Sequence, residues 1–339
     1  MKLYSGIDLH SNNSVLVLLD EKDRVVYERR LPNRLADILR ELAPYREIIE
    51  AIAVESTYNW YWLVDGLMEN GYTVKLVNTM AVKTYEGLKY TGDEHDARHL
   101  AHLLRLGILP TGYIYPKEER AVRDLLRKRG QLVECRTARI LSIMSHVSRI
   151  CGDGISVREV RELNEVSILS LCGGDPVRAL SIQSDLKVIG CLDGEIEGIE
   201  RTVLVRAKIR PEFKKLLTVD GIGPILGMTI MYEMGSPDRF SEVGHFASYA
   251  RCVSSSRWSN GKKKGSGNRK NGNKYLAWAF VEAAHYAVRF NDRVRRFHQR
   301  KKAKTNGVVA VKAVAHKLAR ACYHVIKDQV PFDVEKAFA

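Results

Sequence analysis

The chain has 339 residues, 45% of them apolar and 28% charged, which suits two or three globular domains and excludes a disordered or collagen-like chain. No apolar run reaches 18 residues, the start MKLYSGIDLH lacks a signal peptide's apolar stretch, and the six cysteines form no C-x-x-C pair; the expectation is a cytoplasmic protein with no membrane span, disulfide framework or zinc knuckle. Charge is uneven: residues 1–110 hold 13 basic and 16 acidic side chains (−3), and the remainder 41 and 24 (+17), so the rear of the chain should attract polyanions such as nucleic acid.

Alternation in Leu3 to His10 predicts a strand with Leu3, Ser5, Ile7 and Leu9 on one face and Tyr4, Gly6, Asp8 and His10 on the other. Val15 to Leu19 and Val25 to Arg30 read as two more strands of an antiparallel meander, separated by the polar turn Asp20 to Arg24. A helix over Leu35 to Leu42, a buried strand over Ile48 to Val54, a helix over Trp60 to Asn70 capped by Gly71, and a strand over Tyr72 to Val77 complete a mixed-sheet α/β domain. Thr91-Gly-Asp-Glu94 has a capping-box pattern opening a helix from Gly92 to Leu106. Two long helical stretches, Lys117 to Ile150 and Val177 to Ile209, flank the break Gly173-Gly174-Asp175-Pro176 and are suited to pair as an antiparallel coiled coil. From Phe213 onward the pattern is helical apart from one glycine-rich basic loop between Trp258 and Asn273.

Four carboxylates stand out. Asp8 lies mid-strand, Glu55 just past a buried strand, and Asp93 and Asp96 share a helix face at i and i+3. Each alone reads as helix-end or surface charge. Together they resemble a set that would repel unless divalent cations joined them, and two Mg²⁺ ions can drive phosphoryl transfer. His95, His99 and His102 form a stripe at helical spacing, read as polar helix surface or phosphate contact, with a transition-metal site as the alternative.

In Leu216 to Pro224, Gly221 and Gly223 suit positive φ and close backbone approach, and Pro224 suits a first helical turn. The segment reads as a helix-hairpin-helix whose amides can hold a phosphate oxygen, or as an ordinary helical turn. Between Arg257 and Lys274 there are seven basic residues and no acid: Arg257, Lys262, Lys263, Lys264, Arg269, Lys270 and Lys274. With Gly221 and Gly223 they make the candidate nucleic-acid surface.

The order Asp8, Glu55, Asp93-x-x-Asp96 resembles that of the RuvC-like, ribonuclease-H-like nucleases. Joined to Ser259, Gly261, Lys262, Gly265, Lys270, Gly272, Asn273 and Leu276, and to the closing segment Val311 to Arg320, the whole chain resembles the IS-one-ten group of insertion-sequence transposases, to which the Piv DNA invertases are related. The resemblance implies a RuvC-like mixed-sheet domain over 1–115, coiled-coil helices over 116–210 and an all-α transposase domain over 211–339. It implies that Asp8, Glu55, Asp93 and Asp96 bind Mg²⁺ and that Ser259 attacks DNA to give a serine–phosphate intermediate. It further implies donor and target DNA, a guiding bridge RNA, homodimers assembling to tetramers, and a place at the prokaryotic nucleoid. The chain has Ser-Asn-Gly where Ser-Gly-Gly is common and Arg251-Cys252-Val253 where Gly-Leu-x-Pro is usual, and Ser254, Ser255, Ser256 and Ser266 flank Ser259 as further candidates. Two other readings fit the same residues: a metal-dependent structure-specific nuclease that needs no serine, and a non-catalytic nucleic-acid-binding protein.

Overall fold

The computed structural model describes residues 1–82, 92–207, 210–253, 256–266 and 271–339. They form two compact units, Met1–Lys117 and Glu118–Ala339.

The first unit is built on β1 (Leu3–Leu9), β2 (Asn13–Leu19), β3 (Val25–Pro32), α1 (Leu35–Leu42), β4 (Ile49–Glu55), α2 (Tyr61–Glu69), β5 (Val74–Val77), a short α3 (Thr79–Val82) and α4 (Asp93–Arg105). The sheet order is β3-β2-β1-β4-β5. The first three strands form the antiparallel meander, whereas β4 and β5 run parallel to β1. Leu3, Ile7, Leu9, Leu16, Leu18, Ile52 and Val54 pack with Ile38, Leu42, Leu63 and Leu67 of α1 and α2. On the other face, Val15, Val17 and Leu19 meet Ala97 and Ala101 of α4, and Ala53 and Val77 meet Leu100 and Leu103. Cover on both faces explains why β1 and β2 are buried almost throughout. Gly6 makes the second cover possible: a Cβ there would lie 2.0 Å from the Ala97 carbonyl oxygen, so the helix backbone rests directly on the strand.

The second unit opens with α5 (Lys117–Cys151), which is paired antiparallel with α8 (Pro176–Ala207). Ion pairs mark the register: Arg129 with Glu200 at 2.8 Å, Arg136 with Asp193 at 2.5 Å and Arg139 with Asp185 at 3.4 Å. Two short helices, α6 (Val157–Glu162) and α7 (Glu165–Leu171), fill the connection, where the sequence pattern shows only a break; each begins with a capping box, from Ser156 and Asn164. Val160 and Ile168 plug the end of the helix pair against Ile140, Ile143, Val147, Ile182 and Ile189.

Beyond this come α9 (Pro211–Leu216), α10 (Pro224–Met234), α11 (Val243–Tyr249), a hairpin of β6 (Ser256–Ser259) and β7 (Lys262–Ser266), α12 (Lys274–Phe290), α13 (Asp292–Lys304), α14 (Gly307–Lys327) and α15 (Val334–Ala337). Phe246, Phe280 and Tyr323 centre the core. The ring of Phe246 lies 6.0 Å from each of the other two rings, and α14 packs against α11, α12 and α13. The basic segment, expected as a loop, contains a two-stranded hairpin. Its turn residues Asn260 and Gly261 both have positive φ (49° and 69°), the backbone that a two-residue turn between antiparallel strands requires.

Candidate active site

One row of residues crosses the sheet on the α4 face. Arg30 pairs with Val15, Val15 with Asp8, and Ile7 with Val54, so that Glu55 ends β4 beside Asp8. The buried Asp8 is 3% exposed. Above the row, Gly6 lets α4 descend, and Asp93 is the first residue of that helix. The four acids enter the row differently: Asp8 and Asp93 converge, Glu55 stands half-buried at the neighbouring strand end, and Asp96 is exposed one turn along α4.

Two further residues take part, His10 and Arg30. His10 Nε2 lies 3.2 Å from Asp8 Oδ2 and 3.3 Å from Asp93 Oδ2, out of line for a hydrogen bond to either. The turn that carries His10 is tightly held: its carbonyl accepts from Asn33 Nδ2 at 2.9 Å and Asn59 Nδ2 at 3.0 Å. Arg30 donates from Nη2 to Asp93 Oδ2 at 2.6 Å and from Nη1 to Asn13 Oδ1 at 2.8 Å. The Arg30 guanidinium, hydrogen-bonded to Asp93, holds that carboxyl below the usual carboxylate range; desolvation opposes this, and the nearby His10 adds to the lowering. His10 sits two residues past Asp8 on the same strand face, a spacing legible in the sequence. Arg30 is brought in only by strand register.

Asp8, His10 and Asp93 each offer a ligand atom within 4.8 Å of the others. A buried carboxylate facing a second carboxylate and an imidazole nitrogen without a hydrogen bond is a donor set that suits a divalent cation. The helical histidine stripe is used otherwise. His102 Nδ1 lies 2.9 Å from Asp23 Oδ1, and the His95 and His99 rings stack at 6.5 Å.

In the second unit, Ser259 ends β6 and is exposed, paired with Lys262 across the Asn260-Gly261 turn. Lys262, Lys263 and Lys264 are exposed along β7. Arg257 lies on β6 and Ser256 and Ser266 stand opposite each other across the strand pair. Ser254, Ser255, Arg269 and Lys270 lie outside the described residues. Lys274 opens α12, with Nζ 5.0 Å from the Tyr275 ring centre.

The remainder of the Gly272-Asn273-x-x-Leu276 pattern is architectural. Gly272 has φ +82°, and a Cβ there would lie 2.5 Å from the Tyr249 carbonyl oxygen. Asn273 Oδ1 accepts from the amides of Tyr275 and Leu276, capping α12, while its Nδ2 donates to Glu233 Oε2 at 2.7 Å. Glu233, 1% exposed on α10, is held by Arg127 in a two-bond pair at 2.6 and 2.8 Å. Leu276 is fully buried. The hairpin is thus exposed at its tip and tied at its downstream end to a buried charged network.

Between α9 and α10, Gly221 has φ +84°, and a Cβ there would lie 2.3 Å from the Ala283 carbonyl oxygen of α12. Gly223 differs from expectation: its φ is −86°, and a Cβ there would meet open space. Its position at the N-cap of α10, just before Pro224, explains the ordinary φ.

Residues 5–151, which hold the acid row, match the profile of a DEDD-type transposase family, and residues 213–299, which hold the hairpin and α12, match the profile described as the transposase IS116/IS110/IS902 family. A Pseudomonas aeruginosa protein described as a probable family 20 transposase is 25% identical over 295 residues, covering 84% of this chain and 83% of the relative.

Proposed function

We propose that the chain is a transposase of the IS116/IS110/IS902 kind, whose profiles it matches over residues 5–151 and 213–299, and that it cuts and rejoins DNA through a serine–phosphate intermediate formed at Ser259, with Asp8, Glu55, Asp93 and Asp96 as the metal-binding acids. The observation that carries this reading is the convergence of Asp8, His10 and Asp93 at the end of a doubly covered sheet. The strand order β3-β2-β1-β4-β5 with α4 across it supports a RuvC-like domain. The Gly221 turn between α9 and α10 supports the helix-hairpin-helix reading of the second unit.

Asp8, Glu55, Asp93 and Asp96, with His10 beside them, would hold Mg²⁺; such a cation supplies positive charge that eases loss of a hydroxyl proton and steadies charge on phosphate oxygens. Ser259 is a weak nucleophile until its proton is removed. Its Oγ then forms a bond to phosphorus while the bond from phosphorus to a sugar oxygen breaks, and the proton passes to that departing oxygen. Because the phosphodiester is exchanged rather than hydrolysed, the released strand end or another hydroxyl can reverse the step without an external energy source. Lys262, Lys263 and Lys264 neutralise charge on the attacked phosphate. The resemblance to the family adds a bridge RNA as guide and a dimer assembling to a tetramer.

The test is a denaturing gel of purified protein incubated with RNA and labelled DNA. A covalent adduct is expected with the parent protein and lost in Ser259→Ala and in Asp8→Ala. An adduct that persists in Ser259→Ala overturns the serine assignment. Hydrolysed ends without any adduct would identify a metal-dependent nuclease instead.

A further inference from the structure

A groove of about 600 Å³ runs between the α9–α10 turn and α12. Residues Leu217 to Leu226 line it on one side, joined by Arg129 of α5, and α12 contributes Trp278, Glu282, Tyr286 and Phe290. These three aromatics are 42%, 49% and 71% exposed, which is unusual for side chains of that size. They fall on one face of α12 in steps of four and eight residues, and so span about 18 Å of helix. The Tyr286 and Phe290 rings are parallel within 5°.

The turn that lines the groove is fastened to α12. Gly221 rests against the α12 backbone, and Asn291 Nδ2 donates to Asp220 Oδ2 at 2.8 Å, tying the turn to the end of α12. No side chain caps α10, so its first amides are left for an outside acceptor. Arg289 stands beside Phe290 at one end of this aromatic face, and Arg295, paired with Asp292 at 2.7 Å, follows it. The Arg289 guanidinium lies 5.3 Å from the Phe290 ring centre, and Arg295 binds the Val288 and Arg289 carbonyls. The following helix α13 holds seven basic residues and one acid. Two carboxylates line the groove: Asp220, bound by Asn291, and Glu282, which can accept from the amino group of a base but would repel a phosphate.

We infer that this groove binds an unpaired segment of nucleic acid, with its bases stacked on Trp278, Tyr286 and Phe290 and its phosphates toward the α10 amides and the α13 cations. Stacking needs exposed base faces, which a duplex hides, so the groove selects single strands. The inference rests on the proposed reading that the second unit engages nucleic acid, and adds to it which form is held and where.

The full chain is titrated against fluorescein-labelled oligo(dT), oligo(rU) and a mixed-sequence duplex, with anisotropy as the readout. The paired variant Trp278→Ala with Phe290→Ala should weaken single-strand binding roughly tenfold or more and leave duplex binding within about twofold. Trp278→Phe with Phe290→Tyr should restore single-strand binding. Circular dichroism melting must show both variants folded as the parent is. The two single-stranded probes report whether DNA or RNA is preferred. Unchanged single-strand binding in the alanine pair, or an equal loss on the duplex, overturns the inference while leaving the wider reading intact. A parent protein that binds none of the three probes overturns both.

Discussion

The acid row and the serine hairpin are built in opposite ways. The acids stand at the ends of β1 and β4 and the start of α4, with Asp8 buried and its backbone locked in strand register. Ser259 stands exposed at the tip of two short strands, and the chain on either side is held, by Arg251 donating to the Asn271 and Gly272 carbonyls and by Asn273 bound to Glu233. One site is held by a sheet whose geometry cannot shift without unfolding. The other is an arm on an anchor. On the proposed function the contrast suits the two roles: a metal site needs fixed ligands before the ion arrives, whereas a nucleophile that must meet DNA gains from reach.

The largest expected effect lies at the anchor. Glu233→Ala removes one partner of a buried ion pair and should cost about 3–5 kcal/mol in urea unfolding; a loss below about 1 kcal/mol would show that the network does not hold the arm. The rigid site should break next. Gly6→Val drives a side chain into the α4 backbone and should cost about 1–3 kcal/mol while weakening Mn²⁺ binding measured by calorimetry. In contrast, Gly223→Ala should leave stability nearly unchanged, because its Cβ enters open space at an ordinary φ; a thermal shift comparable to that of Gly6→Val would contradict this.

Arg30→Met sharpens the contrast electrostatically. Removing the guanidinium leaves the row more negative, so Mn²⁺ should bind several-fold more tightly; weaker binding would mean that Arg30 supports the site rather than standing in for a cation. Arg30 lowers the Asp93 carboxyl, so its stabilising contribution is present above the ordinary carboxylate value and is lost as pH falls through the lowered one. The stability difference between parent and Arg30→Met should therefore shrink in acid. A small effect belongs to the helix pair: Arg139→Ala removes a partly exposed ion pair at 3.4 Å and should change stability by about 0.2–1 kcal/mol.

Much of the first unit is legible along the chain because its strands alternate or form compact apolar runs and each helix has its own period. The hairpin is marked in the sequence by Asn260-Gly261, a dipeptide that favours positive φ at both turn positions, within a segment whose glycine and lysine content is typical of a loop. Asn273 shows a different limit. Its place in a motif with Gly272 and Leu276 suggests chemistry, but its side chain caps α12 and binds Glu233.

Local pattern alone determined the meander, the two long helices, the acidic residues and the basic rear of this protein, since period, capping and charge are properties of neighbouring residues. Only the tertiary structure decided that His10 and Arg30 join Asp8 and Asp93, and that Trp278, Tyr286 and Phe290 face a groove. Those placements depend on strand register and on how closely Gly6 and Gly221 let helices approach, which are contacts between residues distant in the chain.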